Sequence, residues 1–472
     1  MELAATLGCA VEELCFWKDR APRRLPRKGT VTMTITMHKA LGTGVAAALL
    51  ITAAFIVFKL FEPVFVYTSG WSPLPPRADA PAQFEVLNAT RAQPAAQAEA
   101  ALRQAFAEGD MPALSAAVVA DGALVWRGAI GYAALETRSP VTISTTFRIG
   151  STSKAVTALA VGVLMDRGAL SLSDRMGDLD PTLAQPVADV TLGQAMSHRA
   201  GVRNYGMCWC FPVWEYNNRR RFPDVRSAIA VIEDDPLMFA PGDSHAYTSF
   251  GYNLAGLAIE KAAKRPYTEV IAQEIAAPLG LEGLRADLPE DPENTVFYDV
   301  EDGAFKPAFP VDNSIRTPSG GLRATPSDIA ELGLAVFDDR LVSQESRVAL
   351  LTIPDGGRKN GGELYAHGFR VGGWDIAGAG ELIHHNGVAV GSRSVFVIAP
   401  ERGIVVSLMA NKGGEHINDL APIATHLLQA FLTENALAET TADELLTGPH
   451  RTRITRSTRR PGGGASSPWI RP

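Results

Sequence analysis

Ser151 and Lys154 form the only Ser-x-x-Lys in this chain, and their spacing suits nucleophilic catalysis. An extended run at 145–149 and Gly150 come before the pair, and an apolar stretch at 155–167 predicts a helix that starts at the serine. Residues three apart lie on one helical face, so the lysine amine can reach the serine hydroxyl. A desolvated lysine can serve as the base that activates a serine. The strand–turn–helix setting favours this interpretation over a surface pair.

A proton carrier, a general base and an oxyanion hole could complete such a site. Tyr247 stands just before a helix predicted over 250–264, where it is either a proton carrier or a packed aromatic. His198 is either a general base or a structural histidine that bonds a loop. The second interpretation is favoured, because no carboxylate lies beside it to orient the ring. An oxyanion hole needs backbone N–H donors, and the N–H of Ser151 and the polar strand entry at 384–388 are candidates.

Composition excludes several other classes of protein. The net charge of −7 and the pI near 5.8 give no sign of nucleic-acid binding. The chain lacks the Gly-x-Ser-x-Gly, Walker-type and His-Glu-x-x-His patterns. Its four cysteines, Cys9, Cys15, Cys208 and Cys210, favour unpaired or locally bridged thiols over a zinc site. We therefore expect neither a metal nor a cofactor.

The N-terminal region predicts a membrane anchor. Residues 40–58 carry no charge, and 19 residues are about enough to span a bilayer as a helix. Positive residues before this stretch keep residues 1–39 in the cytoplasm and place the rest on the extracytoplasmic, periplasmic side. They are Lys18, Arg20, Arg23, Arg24, Arg27, Lys28 and Lys39. An uncleaved single-pass anchor is favoured over a signal peptide, because no convincing cleavage site precedes the folded region.

The rest of the chain divides into a linker, a catalytic domain and a tail. Residues 59–95 are rich in proline and alanine and predict a semi-rigid linker. Residues 441–472 contain six arginines and no core-forming pattern from 448 onward, which predicts a basic disordered tail. Between them, residues 96–440 form the predicted hydrolase domain.

Within that domain the pattern is α+β. Two β-rich runs at 113–120 and 123–132 meet at Asp121-Gly122, a strong hairpin signal. Two more runs at 391–399 and 403–410 flank Pro400 and predict a second hairpin, and helices are expected at 96–108 and 419–433. We therefore expect one antiparallel sheet built from both ends of the domain, with flanking helices and a mostly helical insertion at about 180–310.

Six ordered segments resemble the superfamily of class C β-lactamases and penicillin-binding proteins. They are Phe147–Lys154; Val190-Thr191-Leu192 with Ser197-His198 and Gly201; Pro241-Gly242 with Tyr247–Tyr252; Ser319-Gly320-Gly321-Leu322; Thr325 with Asp328; and His385-Asn386-Gly387 with Gly391. The resemblance covers about residues 93–437. Within the superfamily the chain most resembles the mitochondrial serine β-lactamase-like proteins and their bacterial relatives.

This resemblance implies a role for each matched residue. It makes Ser151 the acyl-accepting nucleophile, Lys154 its base and Tyr247 the second proton shuttle. His385, with Asn386 and Gly387, matches the third motif, where a lysine usually binds a substrate carboxylate. The N–H of Val388 matches the second oxyanion donor beside the N–H of Ser151. A histidine with a pKa near 6.5 is positively charged in only a fraction of the molecules at neutral pH, which weakens the expectation of antibiotic hydrolysis.

The sequence thus predicts a membrane-anchored serine hydrolase that forms an acyl-enzyme and acts on amide or ester bonds, as a peptidase or esterase. The expected partners are a peptide, ester or cell-wall-like small substrate and the membrane. The first alternative is a catalytically weak binding or scaffold protein, including one that forms filaments. A genuine β-lactamase or D-Ala-D-Ala carboxypeptidase is the second.

Overall fold

A computed structural model describes residues 30–207, 214–289, 295–354, 364–414 and 420–432. The chain divides into two compact units, Met1–Lys59 and Leu60–Pro472. The predicted tail at 441–472, most of the predicted cytoplasmic segment and all four cysteines lie outside the described residues.

The described residues form thirteen α-helices. They are α1 (Thr30–Thr68), α2 (Ala92–Glu108), α3 (Ser153–Asp166), α4 (Met176–Leu179), α5 (Leu192–Met196), α6 (Val225–Ile229), α7 (Phe250–Ala263), α8 (Tyr267–Val270), α9 (Ala277–Leu279), α10 (Thr317–Gly320), α11 (Pro326–Ala335), α12 (Gln344–Leu351) and α13 (Ala421–Leu432). Short 3₁₀ turns include Gly150–Thr152, which leads into α3, and Asn313–Arg316, which leads into α10.

Sixteen strands accompany these helices in the described part of the chain. They are β1 (Ser72–Pro73), β2 (Ala82–Val86), β3 (Ala113–Ala120), β4 (Ala123–Ala134), β5 (Ser139–Pro140), β6 (Phe147–Arg148), β7 (Arg285–Ala286), β8 (Tyr298–Glu301), β9 (Ala304–Pro307), β10 (Leu322–Ala324), β11 (Leu364–Tyr365), β12 (Arg370–Val371), β13 (Ile383–Ala389), β14 (Ser392–Ala399), β15 (Ile404–Ala410) and β16 (Lys412–Gly413).

The main sheet of the described residues has nine strands and is antiparallel throughout. Its order is β11-β12-β13-β14-β15-β3-β4-β2, with β5 paired to β4. Strand β15, from the C-terminal end of the domain, pairs with β3 from its N-terminal end. This confirms the α+β class and the antiparallel sheet built from both ends.

Side chains that alternate along the strands of the sheet pack into two hydrophobic cores, one on each face. Val118 and Val406 face the core that α2 and α13 cover, whereas their neighbours Val119 and Val405 face the core that contains α3, α7 and α11. Successive strand residues point to opposite faces, so an apolar run can fill both layers. The sheet is therefore covered by helices on its two faces, and α3, which carries Lys154, lies in one of these layers.

Local turn chemistry explains the β3–β4 hairpin. Asp121 and Gly122 both have positive φ, at 55° and 77°. A two-residue hairpin turn of type I′ needs positive φ at both central positions, which aspartate tolerates and glycine adopts freely. The predicted turn is thus found where the sequence placed it.

Two predicted boundaries need correction. The stretch predicted as a linker contains β2, whose Ala82–Val86 pair with β4 in the main sheet, so ordered structure begins before residue 96. The end of the predicted helical insertion forms β7, β8 and β9 instead, and β8 and β9 join at Asp302-Gly303, with φ of 47° and 74°. This is the same turn chemistry as at Asp121-Gly122, and it ends the helical region early.

Helix α1 contains one stretch long and apolar enough to cross a membrane. It covers Thr43–Glu62, 20 residues with a mean hydropathy of 2.3, none of which is buried. The prediction of 40–58 overlaps this stretch but starts and ends a few residues early. A signal sequence near an N-terminus has the same length and composition.

Candidate active site

Two glycines let the turn that carries Ser151 lie against strand β13. Gly150 has φ of 50°, and a Cβ there would lie 2.6 to 2.7 Å from backbone atoms of Val388. A Cβ on Gly387 would lie 1.9 Å from the carbonyl oxygen of Ile149. Side chains at these positions would push the two segments apart. The backbones of Ser151 and Val388, which carry the two expected oxyanion donors, are therefore neighbours.

Lys154 is completely buried beside Ser151. Its Nζ lies 3.2 Å from Ser151 Oγ and donates to the carbonyl of Ser319 at 2.6 Å. Burial, and then the positive charges of Arg370 and Arg316, hold the pKa of Lys154 well below its ordinary value. A neutral amine has a lone pair that can accept the Ser151 proton, so the site favours the base form of this lysine.

Tyr247 lies on the other side of the serine. The Ser151 hydroxyl hydrogen-bonds with its phenol, and Lys154 Nζ lies 5.0 Å from the centroid of its ring. Burial raises the pKa of Tyr247 to about 12, although the Ser151 hydrogen bond and the Arg370 charge both lower it. Tyr247 is consequently a protonated phenol at neutral pH, which can donate a proton but is not the resting base.

The structure corrects the expectation that His385 is a part-time cation. His385 is completely buried on β13, and its Nδ1 lies 2.7 Å from the carbonyl of Asn386, to which it donates. The remaining Nε2 then accepts from the Tyr365 hydroxyl at 3.1 Å. Burial, and then the charges of Arg370 and Lys154, hold the pKa of His385 well below its ordinary value. This imidazole is therefore neutral near pH 7.

The cation of this region is Arg370, which the sequence analysis did not select. Its Cζ lies 5.8 Å from the centroid of the Tyr247 ring and 5.6 Å from that of Tyr365. The turn between β11 and β12 reaches the site because Gly368, at φ 100°, packs on α3, where a Cβ would lie 2.6 Å from Ala158. The sequence does contain a signal for this cation: Tyr365 and Arg370 flank the turn at Gly368, on strands that lie beside the third motif.

His198 bonds the loop that carries Tyr247. It is buried with φ of 60°, its carbonyl accepts from Ala246 N at 2.9 Å, and its Nδ1 accepts from Thr248 N at 3.3 Å. Its ring lies 4.2 Å from that of Tyr247, centroid to centroid. Burial, and then the charge of Lys154, hold the pKa of His198 well below its ordinary value. This is the loop-bonding arrangement that the sequence favoured.

The structure thus brings together most of the residues predicted from sequence. Ser151, Lys154 and Tyr247 contact one another, and Gly387 and Val388 border the serine turn. Asn386 is half-buried on the same strand, and its carbonyl fixes the His385 ring. The arrangement contains a hydroxyl, a buried amine with a lowered pKa, a protonated phenol and adjacent backbone donors. These are the groups that acyl transfer through a serine requires.

Comparison with known proteins shows the family. The beta-lactamase family model matches residues 98–430. Penicillin-binding protein 4* of Bacillus subtilis (strain 168) is 24% identical over 328 residues, which cover 65% of this chain and 70% of that protein. Among solved structures, D-amino acid amidase from Ochrobactrum anthropi SV3 has a TM-score of 0.62 at 20% identity, covering 72% of this chain and 99% of that chain.

A β-lactamase/D-alanine carboxypeptidase from Pseudomonas syringae has the same fold, with a TM-score of 0.59 at 18% identity over 72% of this chain and 99% of that chain. The family model matches well over half of the chain, and the fold is similar to that of these neighbours. The chain therefore belongs to the beta-lactamase family.

Proposed function

We propose that this protein is a serine hydrolase that cleaves amide or ester bonds through an acyl-enzyme on Ser151. The observation that carries the proposal is the buried Lys154 amine, 3.2 Å from Ser151 Oγ, whose pKa burial and two arginines hold well below its ordinary value. A purely structural lysine would gain from a carboxylate partner when buried. The groups that shift the pKa of Lys154 are burial and two arginines, which favour a base.

Acylation would begin when Lys154 Nζ takes the Ser151 hydroxyl proton and Oγ bonds to the substrate carbonyl carbon. The carbonyl oxygen gains the electron pair and is stabilised by the N–H groups of Ser151 and Val388. Collapse of this intermediate breaks the bond to the leaving nitrogen or oxygen, which takes the Tyr247 phenol proton. The Lys154 ammonium then returns its proton to the Tyr247 phenolate.

Hydrolysis of the acyl-enzyme repeats these steps with water as the nucleophile. A base takes one water proton, the new oxygen–carbon bond forms, and Ser151 Oγ leaves with a proton. The site returns to a neutral amine and two hydroxyls, so one water is consumed and no net proton is taken up by the protein. A protonated Tyr247 at rest fits this scheme, because its first task is donation to the leaving group.

The proposed substrate is a small amide or ester, and the activity is that of a peptidase or esterase. Relatives in the family are named as an amidase and as a carboxypeptidase. Arg370 beside Tyr247 makes the site positive, which suits a substrate with an anionic end. His385 is neutral and cannot supply that charge.

We also propose that the protein is anchored in the membrane by α1, with the catalytic domain on the extracytoplasmic side. The support is the 20-residue apolar stretch and the excess of lysine and arginine before it. In this arrangement residues 1–39 are cytoplasmic, a short connecting segment follows the span, the hydrolase domain extends to about residue 440, and the basic tail follows it.

The test of the proposed activity is covalent labelling of the full chain with an uncharged fluorophosphonate probe. The wild-type protein should be labelled once, at Ser151, by mass spectrometry. Ser151→Ala should lose labelling entirely, because the Oγ–phosphorus bond cannot form. Lys154→Met should slow labelling by roughly 10²-fold or more, since the base is lost.

The matched control is Ser144→Ala, because Ser144 is exposed on the segment just before the site. It should be labelled like the wild type. Full labelling of Ser151→Ala would assign the reaction to another serine. Absence of labelling in the wild type at every pH would favour the scaffold alternative.

A further inference from the structure

A positive charge acts on the candidate base from Arg370 on β12 and not from the third motif. Tyr247 links the two groups, because Lys154 Nζ lies 5.0 Å and Arg370 Cζ lies 5.8 Å from the centroid of its ring. Lys154 and its neighbour His385 are both completely buried. Arg370 is half-buried, so water screens its charge from the buried Lys154 amine only in part, and two positive charges there repel each other.

The other groups around Lys154 do not neutralise this repulsion. The neutral groups that face it are the phenols Tyr247, Tyr252 and Tyr365 and the imidazoles His198 and His385. The charged groups that act on it are Arg370 and Arg316. Within the described part of the chain, no carboxylate contributes to the shift of the Lys154 pKa. Protonation of the lysine would therefore add a third positive charge without an opposite one.

Arg316 is fixed where it acts. Its Cζ lies 4.8 Å from the ring centroid of Tyr205 and 4.7 Å from that of Tyr216, and it donates to the carbonyls of Glu215 and Tyr216. The segment that follows it, α10, carries the Ser319 carbonyl that accepts from Lys154 Nζ. Arg316 thus acts on Lys154 from the α10 side, while Arg370 acts from the β12 side.

We propose that Arg370 is a positioning residue for the base, in that its permanent charge favours the neutral form of Lys154, which accepts the Ser151 proton. The inference rests on the proposed function. It adds that the residue at the third-motif position and the residue that carries the positive charge are different ones. The neutral His385 is locked by Tyr365 and Asn386, and the charge that tunes the base is carried one strand away. Arg316 repels a charge on Lys154 in the same way, but more weakly.

The experiment measures the second-order rate of Ser151 labelling by the uncharged fluorophosphonate between pH 5 and pH 10, using the full chain. The acid limb reports the pKa of the base in the free enzyme. Arg370→Gln removes the repulsion and raises the pKa of Lys154, so the midpoint should move to higher pH by about one unit. Near neutrality the rate should then fall by up to about tenfold, and it should recover at high pH.

Two variants separate charge from structure. Arg370→Lys keeps a cation and should keep the midpoint close to that of the wild type. Arg316→Gln should shift the midpoint in the same direction by a smaller amount. Arg175→Gln, at an exposed arginine paired with Asp189, is the matched control and should leave the profile unchanged.

A structural role alone would lower the rate of Arg370→Gln by the same factor at every pH, or would fail to be rescued by Arg370→Lys. Either result, or an unmoved midpoint, overturns the inference while labelling of the wild type still supports the proposed function. If the wild-type protein is not labelled at any pH, the proposed function fails and the inference fails with it.

Discussion

The His385 imidazole uses both of its nitrogens inside the protein. Nδ1 donates to the Asn386 carbonyl and Nε2 accepts from Tyr365, so a proton added at Nε2 would force the second bond to reverse its direction. It would also bring a new positive charge toward Arg370 and Lys154, which already lower the pKa of this group. At the residue scale, burial and neighbours decide whether a histidine is a switch, and here they make it a neutral acceptor.

A prediction follows for His385→Lys. The sequence resemblance suggested that a permanent cation there would improve the handling of carboxylate substrates. The structure predicts instead that the variant buries an unpaired charge and lowers the free energy of unfolding by on the order of 3 kcal/mol. Urea unfolding of the full chain measures this change, and His426→Lys, at an exposed position on α13, is the control.

Equal stability of His385→Lys and wild type, with faster acylation by an anionic ester, would restore the role that the resemblance implied. The same comparison checks the resting state of the wild-type imidazole. Near pH 7 and above, His385 should contribute no step to the labelling profile, because burial and then the charge of Arg370 hold its pKa well below its ordinary value.

At the scale of elements, the serine turn and β13 depend on one close contact. A Cβ on Gly387 would lie 1.9 Å from the Ile149 carbonyl oxygen and 2.3 Å from Ser394 Oγ. Gly387→Ala must therefore separate β13 from the turn, and Val388 N–H would move away from Ser151. Loss of one oxyanion donor typically costs about 10²- to 10³-fold in rate. We expect a loss of that order in fluorophosphonate labelling of Gly387→Ala.

Gly403→Ala is the matched control for this contact. Gly403 has φ of 63° on the same sheet, at the β14–β15 turn, and a Cβ there would meet nothing within 4 Å. It should cost about 1 kcal/mol of backbone strain and leave the labelling rate near that of the wild type. An equal loss of rate in both variants would show that general destabilisation, and not the position of Val388, is responsible.

Elements set by local chemistry could be predicted from the sequence, and those set by distant contacts could not. The β3–β4 hairpin was predicted because Asp121 and Gly122 carry its turn by themselves. The β8–β9 hairpin had the same signal at Asp302-Gly303 and was missed within a region interpreted as helical. Strands β11 and β12 have two residues each, and they are held by the packing of Gly368 on α3.

The candidate site divides in the same way. The Ser151–Lys154 pair was found because three residues on a helix turn suffice to define it. Tyr247 needed the family resemblance, since a tyrosine before a helix is more often a packed aromatic. The charge state of His385 and the part of Arg370 depend on burial and on neighbours from other strands, which no local pattern encodes.

At the scale of the whole molecule, the site forms where the two ends of the domain meet. Arg148, just before the serine turn, donates to the Val390 carbonyl across 242 residues of sequence. The Ser394 hydroxyl on β14 donates to the Ile149 carbonyl in the same way. The oxyanion donors of Ser151 and Val388 can therefore be assembled only after the C-terminal strands have joined β3. The proposed acylation would consequently depend on the complete sheet.

The last prediction concerns the orientation of the whole chain in a membrane. A 20-residue apolar helix is about 30 Å long, which matches the hydrocarbon core of a bilayer. Seven lysines and arginines precede it, and in the proposed orientation the positive-inside bias would keep them in the cytoplasm. Thiol labelling of the native cysteines can report on both sides of the membrane, because Cys9 and Cys15 precede the span and Cys208 and Cys210 follow it.

An impermeant maleimide applied to intact spheroplasts should therefore react with the protein through the later pair alone. Cys208→Ser/Cys210→Ser should abolish this labelling, and Cys9→Ser/Cys15→Ser should leave it unchanged, with all four thiols reacting after denaturation in detergent. Carbonate washing should leave the protein in the membrane fraction if the anchor is retained, whereas a cleaved signal sequence would release it. Labelling of Cys9 and Cys15 in intact spheroplasts would reverse the orientation, since the charge bias would then have failed to hold the N-terminal segment in the cytoplasm.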